Sequence, residues 1–128
     1  MGTLGRVPIP SQMADVVYLI QDMLFTSKVR EVAKQVGVSV QGTRDVAALA
    51  AAAGTGAKLV LIDLRLPIAV EALARLGSDP ATRAIPSVGF IDHEKTDVMD
   101  QARASGCGQV MAKGQFANAL PKLFASIV

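Results

Sequence analysis

Three residues of this chain stand where aliphatic runs end, and their chemistry suits a divalent cation and a phosphoryl group. Val16-Val17-Tyr18-Leu19-Ile20 leads into Gln21-Asp22. Lys58-Leu59-Val60-Leu61-Ile62 leads into Asp63, and Gln109-Val110-Met111-Ala112 leads into Lys113. Mg²⁺ takes one or two carboxylates together with waters and phosphate oxygens. A lysine pairs with phosphoryl oxygens as a point charge. A carboxylate can also be the nucleophile that accepts a phosphoryl group. Taken alone, Asp63 admits a second reading, since Asp often caps the turn or helix that follows it.

These residues converge only if the runs are parallel strands. Four apolar residues before Asp63 read as a central strand buried on both faces, and Pro67 ends it. The pattern alternates strand and helix five times. Strands are expected at 16–20, 38–40, 59–63, 87–91 and 109–112. Helices are expected from Thr26 or Ser27 to Val36, Thr43 or Arg44 to Ala53, Ile68 to Leu76, Lys95 to Ser105, and Gln115 or Phe116 to Ile127. Pro121 should kink the last helix or displace its start. The second helix is almost entirely Ala, Val and Leu, and would pack close to a sheet. This order predicts a three-layer α/β/α sandwich, with a five-stranded parallel sheet in the flavodoxin-like order 2-1-3-4-5. Strands one, three and five then bring Asp22, Asp63 and Lys113 to one carboxyl edge. Residues 1–14, with Gly2, Gly5, Pro8 and Pro10, read as an irregular extension, and 15–128 as one domain.

Composition removes several alternatives. With 128 residues, 51% of them apolar, the chain can bury a real core. It has no Trp, a net charge of +2 and scattered Lys and Arg, which argues against a nucleic-acid footprint. No uninterrupted apolar stretch approaches the ~20 residues of a membrane span. No apolar leader core follows a charged start. A cytoplasmic protein without membrane contact is expected. Cys107 is the only cysteine, set between two glycines, and reads as a small residue in a turn. Gly54-Thr55-Gly56 is a turn and lacks the phosphate-loop pattern. His93 reads as an exposed loop residue without metal partners, and Asp97 and Asp100 as a solvated helix face.

From about Val16 to Val128 the chain resembles the receiver domain of response regulators, the CheY-like family of two-component signalling. The specific matches are the strand ending in Asp63 with Pro67 four residues on, Gly106 followed seven residues later by Lys113, and Ile85-Pro86 before strand four. The resemblance implies Asp63 as phosphoacceptor, Asp22 as one of two paired metal-binding acids, and Lys113 as the phosphoryl contact. It also implies the Arg65 backbone carbonyl as a metal ligand. The implied partners are a histidine kinase or phosphotransfer protein. Docking and homodimerisation would use helix four, strand five and helix five. Because the chain ends at Val128, directly after the fifth helix, any response is expected to pass on by docking.

Four positions depart from that pattern. Gln21 replaces the first acid and removes a negative charge, so Mg²⁺ binding should be weak. Ile91 replaces a hydroxyl at the end of strand four. Val110 replaces the aromatic switch residue on strand five, and Gly114 replaces the proline after the lysine. Arg65 could pair with Asp63 or Asp22 and substitute in part for the metal. Loop arginines more often point to solvent, which is the expectation here. The reading that follows is an atypical, non-enzymatic, single-domain receiver, a pseudo-receiver that docks on proteins with weak or absent phosphorylation. The alternative is a genuine phosphoacceptor receiver modified on Asp63 by a histidine kinase. A flavodoxin-like small-ligand or enzyme domain is the third reading, disfavoured because Gln21-Asp22-Met23-Leu24-Phe25 offers no phosphate cradle.

Overall fold

Aliphatic strands and amphipathic helices alternate through the computed structural model, which describes residues 14–128. The order is β1 (Val16–Leu19), α1 (Met23–Val36), β2 (Val40–Thr43), α2 (Val46–Ala53), β3 (Leu59–Asp63), α3 (Ala69–Ser78), β4 (Ser87–Ile91), α4 (Thr96–Ala104), β5 (Gln109–Ala112) and α5 (Lys113–Ala125). All neighbouring strands are parallel, in the order β2-β1-β3-β4-β5. This is the architecture expected from the strand–helix repeat. The expected lead-in falls outside the described residues except for Ala14, which is buried.

Period-two alternation divides the strands between two cores. Val17, Leu19, Val60, Ile62 and Ile91 pack with Leu49, Ala53, Ala72, Leu73 and Ala102 from α2, α3 and α4. Val16, Tyr18, Leu59, Leu61, Val88 and Phe90 pack with Val29, Val32, Phe116, Leu120 and Phe124 from α1 and α5. Strands β3 and β4 are buried along their whole length, as central parallel strands must be when helices cover both faces. The alanines of α2 let that helix lie close to the sheet, with Ala50, Ala52 and Ala53 buried.

Several boundaries differ from expectation. Helix α1 starts three residues early because Asp22, and not Thr26 or Ser27, caps it. Strand β2 lies at 40–43 and not 38–40, because pairing with β1 sets its span: Val16 opposes Val40 and Leu19 opposes Thr43. Pro121 sits inside α5 and does not displace its start, which comes at Lys113.

Candidate functional site

Asp63 closes β3, and alternation fixes where it faces. Leu59 and Leu61 belong to the α1/α5 core, so Asp63 emerges on the same side of the sheet, towards the first turn of α1. Its side chain is 1% exposed. A buried carboxylate must be paired or hydrogen-bonded, and Arg65 does both. Asp63 Oδ1 accepts from the Arg65 backbone N–H at 3.0 Å and from its Nε at 3.0 Å. Asp63 Oδ2 accepts from Nη2 at 2.9 Å. The expectation that Arg65 points to solvent is therefore corrected. The backbone bond from residue 65 to the Asp63 carboxylate tightens the loop, and the same turn carries the guanidinium back over the carboxylate.

The same Nη2 donates to Asp22 Oδ2 at 3.1 Å, so one guanidinium bridges the two acids. Asp22 is the N-cap of α1, its Oδ1 accepting from the amides of Leu24 at 2.8 Å and Phe25 at 3.2 Å. The Phe25 amide does most to hold the Asp22 carboxyl below its ordinary value of 3.8. Burial opposes that shift, and the Arg65 hydrogen bond and charge add to it. The two carboxylates in turn raise the Arg65 pKa above its ordinary value, the hydrogen bond to Asp63 contributing most. Phe90, which opposes Asp63 in register, stacks on Phe116 at 4.2 Å between ring centroids and lies 4.8 Å from Phe25. These rings form an apolar wall beside Asp63, while Arg65 stays one-third exposed.

Lys113 is the first residue of α5, and its partner differs from expectation. Its Nζ lies 3.2 Å from Asp92 Oδ1, not on Asp63. The register explains this: Ile91 opposes Ala112, so the residues that follow them, Asp92 and Lys113, leave the sheet side by side. With His93, Glu94 and Gly114 they line a cleft of about 260 Å³. Gln21 is exposed and lines a different cleft, between α1 and β2. Ile91 is buried in the α2/α3/α4 core, and Val110 is half-buried against it. Gly114 is exposed in the first turn of α5. Cys107 is buried, and desolvation pushes its thiol pKa up, which makes it a poor nucleophile. His93, Asp97 and Asp100 are exposed, and Asp100 pairs with Arg103 at 3.1 Å. Among the described residues no helix is long and apolar enough to cross a membrane.

The site residues do not fit a divalent cation in this arrangement. Mg²⁺ needs oxygens at about 2.1 Å in octahedral array, whereas Arg65 Nη2 occupies the point between Asp22 Oδ2 and Asp63 Oδ2. Among the described residues no group of three His, Cys, Asp or Glu converges on a metal position. Sequence reasoning missed Asp92 as the partner of Lys113 and Phe25 and Phe90 as the apolar wall. Asp92 was detectable in principle, because it directly follows the strand that neighbours β5.

No family model and no curated protein matches the chain. Solved structures do. A response regulator receiver domain from Rhodospirillum rubrum superposes with a TM-score of 0.69 at 19% identity, over 87% of this chain and 91% of that one. The chemotaxis response regulator CheY4 of Vibrio cholerae gives 0.74 at 15% identity, over 91% and 99%. The receiver domain of the sensor histidine kinase PA1611 from Pseudomonas aeruginosa, solved with magnesium in its active-site cleft, gives 0.75 at 14%, over 90% and 97%. With sheet order, helix placement and near-complete coverage all in agreement, this chain has the fold of a response-regulator receiver domain.

Proposed function

We propose that this chain is an atypical receiver of two-component-type signalling that acts by docking on protein partners, with its aspartate pocket held in an internally neutralised state. The observation that carries the reading is the Arg65 guanidinium bridging Asp22 and Asp63. The Lys113–Asp92 pair supports it, because the ammonium that would meet a phosphoryl group already has a carboxylate partner. Ile91 offers no hydroxyl to an incoming phosphoryl group, and Val110 is too small to act as an aromatic switch. A ligand shifts a conformational equilibrium only through contacts that differ between the two states, and both positions that would supply them are aliphatic, without a hydroxyl or an aromatic ring. The α4–β5–α5 face is the docking surface in this reading. Met23 and Leu24, 79% and 82% exposed beside Asp22, offer a second apolar contact.

The second reading makes Asp63 a working phosphoacceptor. Its placement at the end of β3 favours it, as do neighbours solved with magnesium or in a phosphorylated form. Amide NMR with Mg²⁺ and acetyl phosphate separates the two. In the docking reading the amides of α4 and β5 stay nearly unchanged on the wild-type protein. Arg65→Gln, which frees both carboxylates, brings Mg²⁺ binding to about tenfold lower concentration, the size of one charge-assisted contact. Large wild-type shifts in α4 and β5 that vanish in Asp63→Asn would overturn the docking reading and establish the phosphoacceptor one.

A further inference from the structure

We propose that the cleft between β1, β2 and α1 binds a small phosphorylated molecule, its phosphate held between Arg30 and Arg44. The cleft is an open one of about 670 Å³, within the range of about 300–1,000 Å³ usual for small-molecule sites. Its polar lining includes Gln21, Ser27, Arg30, Thr43 and Arg44, with no Asp or Glu. The Thr43 hydroxyl is spent on the Tyr18 carbonyl at 2.8 Å, so the donors left to a ligand are Gln21, Ser27 and the two guanidiniums, and the positive charge of the latter selects an acceptor-rich anion. Guanidinium groups meet phosphate oxygens in parallel, bidentate pairs.

Arg30 is held in place for that task. Its Nε donates to the Tyr18 hydroxyl at 3.0 Å, and Tyr18 is itself 2% exposed. The bond orients the guanidinium, and its two terminal amino groups have no partner among the described residues. A guanidinium fixed in advance loses less freedom on binding. Gly42 is part of the same arrangement. A Cβ there would stand 2.8 Å from the Tyr18 ring, so only glycine leaves the phenol and the arginine on it where they are. Arg44 is exposed and makes no ion pair among the described residues. The neighbouring carboxylate, Asp45, is occupied as the cap of α2, accepting from the Ala48 amide at 2.7 Å. Two unneutralised guanidiniums on one concave surface attract an anion. The site adjoins the Asp63 pocket, with Gln21 and Met23 on either side of Asp22 in its lining, but Asp22, Asp63 and Arg65 do not line it.

The test is an amide NMR titration of the full chain with inorganic pyrophosphate at constant ionic strength. Saturable shifts confined to Ser27, Gly42, Thr43 and Arg44 are expected. Arg44→Gln, an exposed substitution that leaves the fold alone, should weaken binding at least about tenfold. Asp63→Asn should leave it unchanged. Shifts that never saturate and spread over lysines and arginines elsewhere would overturn the proposal, as would equal affinity in Arg44→Gln. A parallel titration with an acidic peptide covers the rival occupant. Saturation by the peptide with none by pyrophosphate would reassign the cleft to an acidic protein and overturn the small-molecule site.

Discussion

Asp63 is the one charged side chain among the buried described residues, and almost everything about it follows from that. A buried anion whose partner is removed is strongly destabilising. Arg65 is about one-third exposed, so solvent softens the effect, and Arg65→Ala is expected to cost about 2 kcal/mol in urea unfolding. Arg65→Lys should restore only part of it, because an ammonium cannot make the two-pronged contact. Binding to the folded state alone stabilises it, so millimolar Mg²⁺ should raise the Tm of Arg65→Ala more than that of the wild type. Asp22 makes a separable prediction. Its folded pKa lies below the ordinary 3.8, so its stabilising charge contribution is complete above that value and is lost as pH falls through the lower folded one. Asn caps a helix about as well as Asp, so Asp22→Asn removes the charge and keeps the cap. The stability gap between wild type and Asp22→Asn should therefore be widest near neutral pH and narrow below about pH 4, read by denaturant melts across pH. That Asp22, Asp63 and Lys113 stand at the carboxyl ends of β1, β3 and β5 was legible because each follows an aliphatic run. The Arg65 contact was not, because a loop arginine's direction depends on the acid it meets from a helix 43 residues away. Nor was the Lys113–Asp92 pair, which depends on the β4–β5 register.

At the scale of elements, strand identity was readable where burial imposed it and ambiguous where it did not. β3, β4 and β5 match their expected spans. β2 slipped, because Gln41-Gly42-Thr43 carries no apolar signal and its extent is dictated by β1. α1 slipped because Thr26 looks like a cap, whereas its hydroxyl instead donates back to the Met23 carbonyl within the first turn. Helix ends supply a matched pair of tests. Gly37 closes α1 with φ of 91°, its N–H donating to the Ala33 carbonyl at 2.8 Å. An L side chain in that left-handed conformation is strained, so Gly37→Ala should cost about 1 kcal/mol. Gly114 lies in the first turn of α5, and a Cβ there meets nothing within 4 Å. Gly114→Ala should stabilise by about 0.5 kcal/mol, chiefly by restricting the unfolded chain. Thermal melts of the two variants, shifted in opposite directions, would check both.

Across the whole molecule, one sheet joins two cores that differ in character. The α2/α3/α4 side is built from alanines and branched aliphatics without an aromatic ring, while the α1/α5 side is closed by Phe90, Phe116 and Phe124. Phe116 is fully buried and stacks on Phe90. Phe116→Ala should cost about 3–5 kcal/mol in a single transition with an unchanged denaturant slope, because the shared sheet makes the two cores unfold together. Two superimposable probes of unfolding, one far-UV and one near-UV, would check it. That sheet also sets a long-term property of the pocket at its edge. Arg65 is tethered two residues from Asp63, so its local concentration is fixed by chain geometry and lies at least in the millimolar range. A mobile ion comes and goes with its supply, but a counter-charge built into the backbone does not. Chelators that strip divalent ions would leave the resting pocket unaltered, and the positive charge beside Asp63 would be the same in every ionic environment the protein enters.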